Sequence, residues 1–263
     1  MTTTIMMTTG TTTGTIMTTG TITAIAMADP GAHEVLTGDG LYRLISWLSP
    51  GFPVGAFSYS HGIETAVERG LVTDRATLEE WIAFILEFGA GASDALLFRA
   101  AHQAIDDETL GTVIELGDAW RGTAEFAHES AAQGEAFLTA ALAAWPLQAI
   151  AQCRRVASAI SRPVAYAVAV GAATRGLPLA SALGAFLQAI AANLVSAGIR
   201  LIPLGQTQGQ IAIAHLGPVV ARAAARALDG AIDDLPRRLG GSAARVDLTS
   251  MQHEVQYTRL FRT

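Results

Sequence analysis

Residues able to do chemistry gather in two short stretches of this chain. The first holds Ser60, His61 and Glu64; the second, near the C-terminus, holds His253, Glu254, Tyr257 and Arg259. Imidazole and carboxylate together suit Ni or Zn, and His61 and Glu64 stand about one helical turn apart. No HxxxH or HxH pair fixes two ligands on one helix face, so a hydrogen-bonded or capping role is the simpler reading of each histidine. No metal set is assigned, and His253 and Glu254 are the nearest candidates. Ser60 would need a G-x-S-x-G elbow to serve as a nucleophile. Position 58 is Ser and no strand pattern precedes it, which leaves a serine hydrolase only as an alternative. Gly89-Ala90-Gly91 begins like a dinucleotide turn, but Asp94 stands where the third Gly belongs.

Composition removes further chemistries. The 17 basic side chains are all Arg, and without Lys the chain has neither a Walker A phosphate loop nor a Schiff base to pyridoxal phosphate. No catalytic residue and no tightly bound cofactor are assigned. The single Cys153 cannot form an internal disulfide or a Cys-based zinc cage, and no charged n-region opens the chain, which implies a reduced, cytoplasmic setting. A net charge of -6 and a pI near 5.5 oppose non-specific nucleic-acid binding, which runs on phosphate neutralisation.

The elements that must position these residues read as helices. Leu78, Trp81, Ile82, Ile85 and Leu86 follow the spacing of a core-facing stripe, with Glu79, Glu80 and Glu87 among them. Ala fills roughly a fifth of the chain, and no Asn-Gly or Asp-Gly hairpin signal appears. Pro146, Pro163, Pro178 and Pro218 read as punctuation between helices. The expectation is an all-α fold: a single-domain helical bundle of about ten helices over residues 29–263. A low-complexity Thr, Gly, Ile and Met leader precedes it over residues 1–28, uncharged and expected to be disordered, with Met27 as an alternative start.

Gly176 to Ile199 runs 24 residues without a charge, the length of a membrane span. A small integral membrane protein is thus an alternative. Ser181, Gln188, Asn193 and Ser196 within the run favour the central buried helix of a bundle outside the membrane. Charge divides along the chain: 18 acids and five Arg lie between Asp29 and Trp145, against five acids and twelve Arg from Pro146 onward. Local cancellation within one domain is the simpler reading; a polarised surface that steers protein partners is the other.

Two segments break the helical pattern. Ser49 to Gly62 packs two Pro and several Gly around Phe57, Tyr59 and His61, and a structured loop of this kind is a better place for function than a core stripe. At the other end, Thr249 and Gln252 suggest a capping box that starts a helix, with Leu248, Met251 and Val255 as its apolar stripe. The chain then finishes on Tyr257, Arg259, Leu260 and Phe261, a composition enriched at interface hot spots. Such an end must dock, on its own core or on a partner.

Three motifs, PVGAFSYSHGIE at 53–64, RLIPLGQTQGQ at 200–210 and MQHEVQYTRLFR at 251–262, together resemble the urease accessory protein UreF family in order and spacing. Gly117-Asp118, Glu129-Ser130 and Gln133-Gly134 are weaker matches, and the similarity runs from about Leu41 to Thr263. The resemblance implies an all-helical, homodimeric, non-enzymatic maturation factor. It would join a companion accessory protein (UreD, also called UreH) and a GTPase (UreG) in delivering nickel to apo-urease, with nickel at most in transit. It also implies that Tyr257, Arg259, Leu260 and Phe261 help bind those partners, with Phe57 and Arg259 recruiting the GTPase. The Gly205-Gln206-Thr207 turn would shape the dimer or a passage for the ion. An arginine finger from Arg259 and a simple interface Arg explain that position equally well. Members commonly end in Ser where this chain has Thr263, and Tyr59 and His61 fall where members vary.

Overall fold

A computed structural model of the protein describes residues 35–231 and 234–262. The expected leader over 1–28 and the alternative start at Met27 lie outside the described residues. Among the described residues twelve α-helices build the fold and no strand occurs. In chain order they are α1 (Gly38–Trp47), α2 (Ile63–Glu68), α3 (Arg75–Phe88), α4 (Ala90–Gln103), α5 (Asp107–Ala119) and α6 (Ala124–Ala144). There follow α7 (Gln148–Ile160), α8 (Tyr166–Ala173), α9 (Leu179–Leu201), α10 (Gln206–Leu228), α11 (Leu235–Arg238) and α12 (Ala244–His253). A 3-10 turn, Ala56–Ser58, lies in the loop between α1 and α2.

Side-chain caps explain several helix starts. The Asp74 carboxylate accepts the Thr77 N–H at 2.9 Å while the Thr77 hydroxyl accepts the Asp74 N–H at 3.1 Å, a reciprocal box opening α3. The Thr77 N–H holds the Asp74 carboxyl below its ordinary value. Asp106 opens α5 and Thr123 opens α6 with a one-way cap, each side chain accepting the N–H three residues on. The expected α3 stripe is buried as a set: Leu78, Trp81, Ile82, Ile85 and Leu86.

The centre of the molecule is α8, where every residue from Ala167 to Ala173 is buried. This corrects the expectation that the uncharged 176–199 run is the central helix. That run forms most of α9, of which only half is buried, because its Gln188 and Ser196 face outward. Helix α8 fits its place because it is built of small residues. A Cβ on Gly171 would lie 2.4 Å from the Phe98 carbonyl oxygen of α4, and one on Gly134 of α6 would lie 1.9 Å from the Val164 oxygen. Backbones meet there without side chains between them. Around this contact runs a chain of rings, Trp47 to Phe137 at 6.1 Å, Phe137 to Tyr166 at 6.0 Å, Tyr166 to Phe186 at 5.7 Å and Phe186 to Phe98 at 5.0 Å.

Two further expectations are corrected. Pro218 does not separate helices but lies inside α10, with Pro218 and Ala214 both exposed. The carbonyl freed by the missing N–H can therefore be hydrated. Thr249 does not cap a new helix: its hydroxyl donates to the Val246 oxygen at 2.8 Å inside α12, which begins five residues earlier at Ala244 and ends at His253.

The charge division resolves locally. Arg154, Arg155, Arg162 and Arg222 of the basic half pair with Glu135, Asp107, Asp118 and Glu87 of the acidic half. Helices α9 and α10 are long and apolar enough to cross a membrane by length and composition, and each packs against the other and against α3 and α4.

Candidate functional site

The early loop and the terminal segment, distant in sequence, meet in space. The Arg262 N–H donates to the Ser58 carbonyl at 2.8 Å, which ties the last residues to the 3-10 turn that carries Phe57. The loop is seated from below by Val54 and Tyr59, both buried, and by Phe52, whose ring stands 5.4 Å from Phe137. Tyr59 thus belongs to the core, and Phe57 is 65% exposed.

Gly62 closes the loop at φ +79°, a conformation that strains any residue with a Cβ, and such a Cβ would meet the Thr249 hydroxyl at 2.9 Å. Helix α12 therefore packs directly on the loop's last residue. Its inward face mixes the core residue Val246 with three polar ones, Thr249, Ser250 and His253, all buried, and the Ser250 hydroxyl lies 2.8 Å from that of Thr123. Leu248 and Met251, with Val255 just past the helix end, face outward instead. A helix that buries three polar side chains and leaves large apolar ones exposed is patterned for contact with another surface.

The tail beyond α12 turns back across this face. Phe261 is 4% exposed, beneath the Arg200 guanidinium at 4.4 Å. Its neighbours point away, Tyr257 at 102% and Leu260 at 66% exposure. One anchor is a carboxylate: Glu64 Oε1 accepts the Leu260 N–H at 2.6 Å and Oε2 accepts the Phe261 N–H at 2.9 Å. His253 stands beside it, fully buried, with Nε2 3.1 Å from Glu64 Oε2 and Nδ1 2.8 Å from Glu125 Oε1. Arg259 reaches the same Glu125 oxygen at 3.6 Å. Thr65 adds a hydroxyl bond to the Gln256 side chain at 2.7 Å. Burial raises the carboxyl of Asp247, on the same helix, and nearby His61 opposes that rise.

The expected metal candidates fall apart in this geometry. Both ring nitrogens of His253 face carboxylates, Glu254 is exposed, and Glu64 and His61 point to different partners. His61, at φ +56°, stacks on Phe126 at 3.9 Å and places Nδ1 3.4 Å from Glu129. No group of three or more His, Cys, Asp or Glu arranged to hold a metal occurs among the described residues. Ser60 is fully buried, closed to substrate, and its hydroxyl accepts the Glu64 N–H of the first turn of α2 at 3.3 Å.

The UreF family model matches residues 72–217. A urease accessory protein UreF of Rhodopseudomonas palustris (strain BisB18) is 48% identical over 240 residues, covering 89% of this chain and 97% of that protein. The protein of the same name from Granulibacter bethesdensis is 49% identical over 242 residues, covering 90% of this chain and 100% of its own length. The chain belongs to the UreF family. In this UreF chain the early loop and the tail both lie outside the stretch matched by the family model. Gly205, Gln206 and Thr207 are exposed at the start of α10, where Gly205 is the N-cap. They do not line the cavity of about 420 Å³ beneath the loop; Gln210 and Ile213 reach it from the same helix.

Sequence reasoning missed Glu64 as the tail's anchor, and Glu125 altogether. The one local signal was the polar series Thr249, Ser250 and His253, which shares a face of α12 opposite the apolar stripe.

Proposed function

We propose that this UreF-family chain is a non-enzymatic, cytoplasmic scaffold for urease maturation that supports nickel insertion into the apoenzyme. The observation that carries the proposal is the set of large apolar side chains that α12 leaves exposed, continuous with the exposed Tyr257 and Leu260 of the tail. This face grips the companion protein, UreD or UreH. Phe57 and Arg259, joined through the Ser58 and Arg262 contact, recruit the GTPase UreG. Phe261 acts from beneath, as the anchor that orients them. The scaffold works as a homodimer with the Gly205–Thr207 turn near the dimer contact or the ion's path, and nickel passes without a resident site on this chain.

Arg259 serves this function as an interface group. Its guanidinium pairs with Glu125, and a finger role in phosphoryl transfer requires that pair to open. GTP hydrolysis by the assembled complex is therefore expected to survive Arg259→Ala once assembly is driven by excess partner. The test of the proposal is co-purification of the companion and the GTPase with the full-length chain and with one ending at Tyr257. Recovery falls sharply for the shortened chain; equal recovery from both removes the tail from the interface.

A further inference from the structure

Arg43, Arg121, Arg154, Arg155, Arg162 and Arg222 each hold a carboxylate at hydrogen-bonding distance. The arginines gathered at the end of α10 are balanced differently. Arg99 donates to the main-chain oxygens of Ala227, Asp229 and Gly230 at 2.9–3.0 Å, and Arg238 to those of Arg226 and Asp229. These bonds close the helix and occupy the guanidinium hydrogens, but their acceptors are neutral, and a helix end offsets only about half a unit of charge. The Arg226 guanidinium lies 5.2 Å from the centre of the Phe88 ring, a contact that also leaves its charge in place. Arg237 is 88% exposed and stands 3.7 Å from Asp234, too far for a hydrogen bond. A chain of net charge -6 thus carries a local excess of cations.

Arg226, Arg237 and Arg238 border one groove of about 420 Å³. Leu86, Leu96 and Leu239 make its floor apolar, and its one carboxylate, Glu87, is already held by Arg222 at 2.9 Å. Residues 239–242 form a wall that is fixed before any ligand arrives: the Ser242 N–H donates to the Phe88 oxygen at 2.8 Å and the Gly240 N–H to the Ser93 hydroxyl at 3.3 Å. A basic rim over an apolar floor asks for a ligand with both characters. Inorganic phosphate would meet the cations and leave the floor uncovered, and a nucleic acid would have to approach a chain whose net charge repels it. We propose that this groove docks an acidic segment of a protein partner, whose Asp or Glu side chains pair with Arg226 and Arg237 while an apolar side chain between them covers the floor. None of the groove's lining belongs to the early loop, α12 or the tail, so this is a second docking surface, independent of the one proposed above.

The full chain is panned against a random-peptide display library, and a selected peptide is then titrated by fluorescence anisotropy. The selected sequences should place Asp or Glu on both sides of a Leu, Ile or Phe. Combining Arg226→Gln with Arg237→Gln should weaken the peptide roughly tenfold or more, the range for losing charged hydrogen bonds. Both side chains are exposed, so the fold should survive; if the pair is destabilised, Arg237→Gln alone carries the test, and it should lower affinity in the same direction. Arg155→Gln, an exposed arginine outside the groove, should leave affinity unchanged. Changing the peptide's apolar residue to Ala should also weaken it, which a site for simple anions would not require. Selection of peptides without acids overturns the proposal, as does affinity that the groove variants leave intact or that Arg155→Gln lowers as much. Inorganic pyrophosphate displacing the peptide at the peptide's own dissociation constant also overturns it, since the groove would then be a phosphate site.

Discussion

Residues 167–173 of α8 and residues 254–262 of the tail are held by different forces. Helix α8 is buried on every side, carries no charge, and approaches its neighbours through Gly134 and Gly171, where backbone meets backbone. The tail is held at points: a carboxylate on two N–H groups, one ring beneath a guanidinium, and a hydrogen bond to the loop. Dispersion over a close-packed contact is diffuse and has no alternative arrangement nearby. Point contacts made by charged groups are few, directional and separable. The molecule thus stores stability at α8 and places presentation at the tail, and substitutions in the two regions should separate those quantities.

The largest expected effect is in reactivity at the core. Cys153 on α7 is fully buried, and burial pushes its thiol from an ordinary value of 9.0 up to about 12. At pH 8 the folded chain should therefore react with a thiol-specific alkylating reagent roughly a thousandfold more slowly than the unfolded chain, since each pKa unit changes the thiolate fraction tenfold. The folded state binds this proton more tightly than the unfolded state, so its contribution to stability is complete below pH 9 and declines as pH rises toward 12. Urea titrations at pH 8 and pH 10, with and without Cys153→Ala, measure that decline. Fast labelling of the native protein would mean that α7 opens readily and that the core is not the rigid half of the contrast.

Next in size is Gly134→Ala. The added methyl would lie 1.9 Å from the Val164 oxygen, so α6 and the segment entering α8 must part. Overpacking of this kind costs about 3 kcal/mol, measured by urea denaturation. A loss below about 0.5 kcal/mol would show that this contact yields like a surface, within the range of neutral exposed substitutions.

How much of this division could be read beforehand follows from what creates a pattern. The α3 stripe was legible because one face of that helix is buried and the other is not. In α8 all sides are buried, the sequence YAVAVGAA has no period, and the longer uncharged run of α9 looked more central. On α12 the apolar stripe was visible at Leu248, Met251 and Val255, but periodicity says which residues share a face and not which way that face turns. Direction was decided by Glu64, Thr123 and Glu125, more than a hundred residues away, through His253 and Ser250. The loop and tail were recognisable as functional from composition, and their meeting through Ser58 and Arg262 was not.

A smaller effect is expected at the tail's ring contact. Arg200→Gln removes the guanidinium 4.4 Å above Phe261, worth about 0.5–1 kcal/mol. Hydrogen exchange should quicken at Phe261 and leave α8 unaltered. Equal quickening in both places would mean that tail and core open as one cooperative unit, and the separation drawn between them would fail.

The smallest effect on stability belongs to the residues proposed to matter most for partners. Tyr257 and Leu260 face solvent, so Tyr257→Ala and Leu260→Ala should change unfolding free energy by no more than about 0.5 kcal/mol. In binding, an aromatic or aliphatic anchor at the centre of an interface is worth about 2 kcal/mol, roughly a thirtyfold loss of affinity for the companion protein. Calorimetric titration against that companion and urea denaturation of the same variants give the two numbers side by side. A large binding loss at constant stability is the signature of a displayed surface. Losses that rise together would place these side chains in folding contacts that the isolated chain does not make, and binding would then be coupled to ordering of the tail.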